Sequence, residues 1–129
     1  MLDSAQGAFE VAITPQTAES ECEDVGRMLL AKTFSGELEA TSAGQMLAFR
    51  SPLDGSAGYV AMEVVTGTLA GRRGSFVLQH SGTMDRGSPS LSVSIVPDSG
   101  TDDLTGIVGT MTITIESSAH LYELTYSVS

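Results

Sequence analysis

The residues of this sequence best suited to acid–base chemistry are Glu63 and His80, which lie on two neighbouring runs of alternating polarity. A carboxylate beside an imidazole can transfer protons to and from a bound molecule. In an apolar interior the pKa of Glu63 would rise, unless a cation such as Lys32 pairs with its carboxylate. These side chains therefore predict either an internal proton-transfer site or a structural network of paired polar groups.

Both residues belong to a central hairpin, residues 56–85, whose two β-rich runs flank the corner Gly71-Arg-Arg-Gly74. Glycines on both sides of a turn are typical of hairpins. A two- or four-residue loop at this corner would place Glu63 opposite Gly82 and diagonal to His80, with Val65 opposite His80. A three-residue loop would turn one strand over. We prefer the first register, because it keeps the glycines of both runs on one face.

The rest of the chain also alternates with period two, which is typical of β-strands. Residues 27–48 predict two strands or one long bent strand, and no ten-residue stretch has the period of a helix. Glycines recur on the apolar faces, where strands bend to close a barrel. We therefore predict an all-β chain, a single domain over residues 1–129, folded as a closed antiparallel barrel of about eight strands. A two-sheet sandwich is the competing architecture.

The alternation also predicts which polar side chains point into the barrel. Besides Glu63 and His80, this set comprises Lys32, Tyr59, His120, Tyr122 and Tyr126. We predict that Glu63 acts as a base if its pKa rises toward neutrality, with His80 as its proton partner. Lys32 would balance Glu63, and the tyrosines and His120 would contact the ligand. An uncharged substrate is expected, because a net charge of −10 disfavours anions.

Cysteine and histidine are too few to predict a metal site or a bound cofactor. The chain has two histidines, and its single cysteine, Cys22, lies in an acidic stretch that keeps the thiol protonated. No intrachain disulfide can form, which fits a reducing compartment. The first residues lack the pattern of a signal peptide, and no apolar run reaches the ~20 residues of a membrane helix. We therefore expect a cytoplasmic protein.

Charge and surface apolarity restrict the partners. Sixteen acidic residues face six basic ones, and only Arg72 and Arg73 are adjacent, so nucleic acids and membranes are not expected partners. The outward face of the central hairpin is apolar, and adjacent exposed apolar residues mark interfaces. We therefore predict a homo-oligomer, a dimer or trimer, through Val60, Met62, Val64 and Val77, with Leu29 and Leu47 also pointing outward.

Several segments together resemble a bacterial family of proteins of unknown function. The matching segments are residues 34–46, 55–63, 74–84 and 96–101, followed by His120-x-Tyr122, and the resemblance spans residues 6–128. Members of that family resemble allene oxide cyclase, an eight-stranded antiparallel barrel with an apolar lumen. The resemblance implies this fold. It does not carry the cyclase activity, because a shared fold alone does not transfer chemistry.

Three classes of function remain open from the sequence. The barrel could bind a small apolar or amphipathic molecule in its lumen, or could be an isomerase or cyclase that uses Glu63 and His80. It could also be a structural or assembly protein without catalysis, whose lumen is filled by its own side chains. A lumen cavity of ~300–1,000 Å³ would favour binding or catalysis, and a full lumen would favour the structural role.

Overall fold

The computed structural model describes residues 2–17 and 24–129, so Cys22 and the acidic residues beside it lie outside the described part. Each strand pairs antiparallel with the next, and the last pairs with the first, which closes the barrel. The all-β barrel is therefore confirmed. Its strands are β1 Asp3–Pro15, β2 Gly26–Gly36, β3 Leu38–Arg50, β4 Ala57–Leu69, β5 Arg72–Asp85, β6 Ser88–Ile95, β7 Val108–Glu116 and β8 Ala119–Ser127.

The long alternating run 27–48 is two strands, β2 and β3, joined by a tight turn. Gly36 takes a φ of +100° there, which glycine adopts at little cost. The Tyr122 hydroxyl secures the turn from inside: it donates to the Ser35 carbonyl at 2.8 Å and accepts from the Leu38 amide at 3.0 Å. Because the period-two pattern continues through the turn, both strands keep their apolar face toward the lumen.

The central hairpin has a different register from the predicted one. Its turn is Ala70-Gly71, with φ angles of +47° and +86°, and Arg72 to Gly74 already belong to β5. Glu63 lies opposite Leu78, Val65 opposite Phe76 and Gly82 opposite Tyr59, so the predicted pairs were wrong. Two consecutive left-handed residues suit the twist of a two-residue hairpin. The register moves by an even number of positions, so the inward and outward faces stay as predicted.

The ends of the chain form an additional seam. β1 begins at Asp3, and its first residues pair with β8. Ala5 is completely buried there. At the last hairpin Ser117 and Ser118 form a two-residue turn, and Ile113 lies opposite Tyr122.

One half of the lumen, here called the packed half, is closed by the connection between β6 and β7. This connection carries the 3-10 turn Asp102–Leu104. Its backbone bonds to the edge of β5, with the Thr101 amide donating to the Ser75 carbonyl at 2.9 Å. Most of the large, fully buried side chains among the described residues lie in the packed half, namely Leu38, Leu69, Phe76, Leu78, Leu104, Ile107 and Leu124.

The opposite end, here called the open half, is bordered by the β1–β2, β3–β4, β5–β6 and β7–β8 connections, and the described residues include no such plug there. Ile13, Leu91 and Ile115 point inward at this end, yet they are 50%, 43% and 67% exposed. The stretch of strand pairing is shortest between β6 and β7, where Val93 pairs with Met111 and Ser94 pairs with Thr110. No helix within the described ranges is long and apolar enough to cross a membrane.

Candidate functional site

Glu63 on β4 is the centre of a buried polar cluster at the middle of the barrel. Its Oε2 atom lies 2.8 Å from Lys32 Nζ on β2 and 2.6 Å from His80 Nε2 on β5. Its Oε1 atom accepts a hydrogen bond of 2.8 Å from the Ser42 hydroxyl on β3. Four strands thus contribute one side chain each, and both carboxylate oxygens are satisfied.

Gly44 lies beside the ion pair between Glu63 and Lys32. These residues lie on β4 and β2, with β3 between them, and Gly44 is the residue of β3 opposite Glu63. A Cβ atom at Gly44 would lie 2.7 Å from the Cβ of Glu63. It would come closer still to the Met62 carbonyl oxygen, so glycine at this position permits the close approach of β3 and β4 beside the ion pair. Lys32 Nζ also lies 4.8 Å from the centre of the Phe9 ring, a favourable cation–π position.

The partners of Glu63 decide its protonation. Burial by itself raises the pKa of this carboxyl. The His80 hydrogen bond, the Lys32 charge and the Ser42 hydroxyl outweigh burial and lower the pKa to about 2. The sequence left two outcomes open, a raised pKa or a carboxylate paired with a cation, and the structure has the second. Glu63 is therefore an ionised acceptor at neutral pH, and it is not poised to exchange a proton.

Two small residues make room for the rings that border the cluster. Ala61 lies opposite His80, and Gly82 lies opposite Tyr59. A Cβ atom at Gly82 would lie 2.5 Å from the Tyr59 ring, so glycine is required for this ring position. The Tyr59 and His80 rings are 6.4 Å apart. Burial raises the pKa of Tyr59, and the negative charge of Glu63 raises it further, so the phenol stays protonated.

A cavity of about 260 Å³ occupies the open half and ends on this cluster. It opens to solvent past the exposed Ile13, Leu91 and Ile115 at the mouth. Its remaining apolar lining consists of Phe9, Val11, Leu30, Met46, Ala61 and Ile113, and its polar lining of Lys32, Tyr59, His80 and His120. The surface that these residues turn toward the cavity is apolar, and the polar atoms of the cluster lie behind it.

The structure brings together most of the residues predicted to form the site. Lys32, Glu63 and His80 are in contact, and Tyr59 and His120 line the same cavity. The His120 ring packs against Phe9 at 5.1 Å. Tyr122 and Tyr126 lie in the core of the packed half and do not line the cavity. The Tyr122 hydroxyl is fully engaged with the β2–β3 turn, as described above.

Ser42 and Gly44 were missed as members of the site. Both fall on the inward positions of β3, so the alternation contained the signal for their direction. It did not contain the signal for their role, because pairing Glu63 with Lys32 across an intervening strand requires the three-strand register. Among the described residues, no group of three or more His, Cys, Asp or Glu side chains is placed to hold a metal ion.

The outer wall of strands β3 to β5 carries a second, shallow depression of about 660 Å³. Its apolar floor is formed by Leu47, Val60, Met62, Val64 and Val77. Leu47, Val60, Met62 and Val64 are all exposed, which agrees with the outward face expected for them. This surface lies outside the lumen and is separated from the cavity by the sheet itself.

Comparison with known proteins gives a family but no activity. The chain is 47% identical to a protein of unknown function from Shewanella oneidensis MR-1, whose crystal structure matches with a TM-score of 0.95. The match covers 100% of this chain and 98% of that one, and the Shewanella protein is described as a member of the DUF3224 family. No curated protein matches the chain. The family model described as "Protein of unknown function (DUF3224)" matches residues 5–126, and the chain therefore belongs to the DUF3224 family.

Proposed function

We propose that this protein binds a small apolar or amphipathic molecule in the open half of its barrel. The observation that carries the proposal is the cavity of about 260 Å³, whose walls are apolar and whose base holds the Lys32–Glu63–His80 cluster. Ligand pockets are lined predominantly by apolar side chains, as this one is. The volume is just below the usual ~300–1,000 Å³, which favours a small ligand.

The charge of the cavity favours an uncharged ligand. Lys32 and Glu63 neutralise each other at 2.8 Å, and an added ionic group would need its own partner in an apolar space. Large inward side chains left exposed at the mouth, such as Ile115 at 67%, also support occupation by an apolar group. An amphipathic molecule would place its apolar part in the cavity and its polar end at the mouth, in solvent, because the surface facing the cavity is apolar.

Native mass spectrometry of protein purified from its own cell tests the proposal directly. We expect a retained small molecule, which is lost in Ile113→Phe because the added ring fills the cavity. The matched control is Thr112→Phe, the exposed neighbour on the outer face, which leaves the cavity unchanged. Equal retention by both variants, or binding of no apolar molecule by the wild type, would refute lumen binding and favour the structural role of a filled barrel.

An isomerase or cyclase is the second candidate function, and it is favoured by the contact of 2.6 Å between Glu63 and His80. The resemblance to allene oxide cyclase barrels belongs to this candidate as an analogy of fold. Because the pKa of Glu63 is lowered to about 2, Glu63 would orient His80, and His80 would accept the proton. Conversion of a retained molecule into an isomer of equal mass, lost in Glu63→Gln, is the result expected of an isomerase.

A further inference from the structure

We infer that the open half of the barrel also recognises an extended peptide, which pairs with free strand edges between β6 and β7 and places alternate apolar side chains in the cavity. This interaction is additional to the proposed binding of a small molecule. It depends on backbone groups at the side of the barrel, whereas a small apolar molecule needs only the cavity.

Strands β6 and β7 pair with each other at two positions and then continue toward the open half without pairing. Residues 88–92 remain paired with β5 on one edge, and residues 112–116 remain paired with β8. We call these two segments, with their unpaired edges, the pairing gap. Among the described residues, no other backbone group bonds to these edges. Each segment therefore presents free amide and carbonyl groups, which are a template for another strand.

The free edges are exposed and carry little of the protection that strand edges usually have. Residues 88–92 are all exposed, and in residues 112–116 only Ile113 is half-buried. Exposed edges are usually blocked by charged side chains, proline or bulges. Here Pro89 and Glu116 lie near the outer end, and the positions between them and the paired residues hold only serine, threonine, leucine and isoleucine.

The cavity lies directly behind the pairing gap. Leu91 on β6 and both Ile113 and Ile115 on β7 line it, and the surface facing it is apolar. In a strand added here, every second side chain would point inward, about 7 Å from the next one on the same face. A cavity of ~150 Å³ holds a benzene molecule. The volume of about 260 Å³ therefore has room for one or two aliphatic side chains.

An extended peptide that alternates aliphatic and small hydroxylated residues fits both features. Its main chain supplies the donors and acceptors that the free edges need, and pockets for alternate side chains give such sites their specificity. The inward residues are aliphatic, because the cavity offers no polar surface to a polar side chain. The outward residues nearest the paired positions are serines and threonines, which pair well with threonine on a neighbouring strand.

A capped hexapeptide that alternates threonine and valine is the probe, and a peptide of three threonines followed by three valines is its control. In an NMR titration we expect the alternating peptide to shift the amide signals of residues 90–92 and 112–115 and to bind at least tenfold more tightly than the control. Equal affinities, or shifts confined to the outer wall of β3 to β5, would refute the inference. Absence of peptide binding would also refute it and would leave small-molecule binding, which native mass spectrometry tests, unaffected.

N-methylation of the probe shows whether its backbone is recognised. In a strand the amides of successive residues point to opposite edges, so methylating the valine amides blocks one edge and methylating the threonine amides blocks the other. We expect at least one of the two methylated peptides to bind at least tenfold more weakly than the parent, because backbone hydrogen bonds are lost. Unchanged affinity of both would show that only side chains are bound and would overturn the inference.

A reversible crosslink tests the location of the peptide. In a Cys22→Ser background, Ser92→Cys and Thr112→Cys place two thiols on the exposed outer face, opposite each other if the pairing continued by one position. Oxidation would close the pairing gap without changing any residue that lines the cavity. We expect the reduced variant to bind the alternating peptide like the wild type, and the oxidised variant to bind it at least tenfold more weakly. Equal binding by both forms would contradict the inference.

Discussion

The two halves of the barrel are built from the same strands, yet one is filled and the other is hollow. In the packed half, Leu69 and Leu124 are completely buried. In the open half, Ile13 and Ile115 point inward with equal regularity and remain 50% and 67% exposed. The difference comes from what closes each end: the Asp102–Leu104 turn brings Leu104 into the packed half. An inward direction therefore does not by itself make a residue part of a core.

The Lys32–Glu63–His80 cluster, at the boundary between the halves, should be the part of the molecule whose substitution lowers stability most. Glu63→Gln would leave the Lys32 ammonium buried without its counter-charge, and we expect it to lower the free energy of unfolding by about 3–5 kcal/mol. Urea denaturation checks this. The double variant Lys32→Met/Glu63→Gln should recover much of the loss, and Glu39→Gln, an exposed acid on β3, should change little. A small effect of Glu63→Gln alone would show that the cluster does not support the fold.

Truncating one side chain in each half tests the comparison most directly. Leu124→Ala should cost about 2–5 kcal/mol, because it creates a cavity in a region without space to relax. Ile113→Ala should cost about 1 kcal/mol, since this side chain already borders the open cavity. Thermal or urea unfolding of both variants measures the difference. Equal losses would mean that the open half is as tightly packed as the other.

Acidification should weaken the Glu63 cluster at the boundary before it affects the apolar packing in the two halves. The pKa of Glu63 is about 2 in the folded protein against an ordinary value of 4.5, so its stabilisation is present above 4.5 and lost as the pH falls through 2. This shift corresponds to about 3 kcal/mol. The difference in unfolding free energy between the wild type and Glu63→Gln should shrink by that amount on acidification. A difference independent of pH would contradict the lowered pKa.

Substitutions on the outer wall should have the smallest effect on stability, but they should change the assembly of the protein. We propose that a second copy of the chain covers it. The outward residues between 41–49, 60–68 and 75–83 include no charged side chain in a chain of net charge −10. Two copies that share a net charge of −10 repel each other least where the facing surfaces are uncharged.

Light scattering tests this assembly. We expect the wild type to have at least twice the monomer mass, and Met62→Lys to dissociate it without loss of the fold. The control Thr110→Lys lies on the exposed outer face of β7, away from the depression. A monomeric wild type at high concentration would contradict the proposal.

Sequence alternation was sufficient to predict the strands, their faces and the inward direction of Lys32, Glu63 and His80. It was not sufficient for the register of the central hairpin, because Ala70 takes a left-handed conformation that alanine seldom adopts. The diagonal placement of Glu63 and His80 survived this error, since the shift was even and moved Leu78 into the position opposite Glu63. The face on which a side chain lies depends on whether the register shift is even or odd, so an even shift leaves the predicted faces unchanged.

The contacts of Glu63 and the division of the lumen could not be derived from the sequence. The first depends on Lys32 and Ser42 meeting Glu63 from β2 and β3, which requires the register of three strands in the folded sheet. The second depends on residues 96–107, which have no alternation and whose packing over the barrel end is a tertiary property. The volume of the cavity is the small difference between the space that the barrel encloses and the volume of the side chains inside it. An alternation pattern in the sequence does not contain this difference.

The short pairing between β6 and β7 has a consequence for how fast the barrel opens. Eight residue pairs join β5 to β6, whereas the seam between β6 and β7 has two. Amide protons beside this seam should exchange with deuterium through local opening, well before those of β3 and β4, which open only with global unfolding. Leu91 and Ile113 border the cavity from β6 and β7. Transient parting of the two strands would widen the cavity sideways and let a molecule enter without unfolding the barrel.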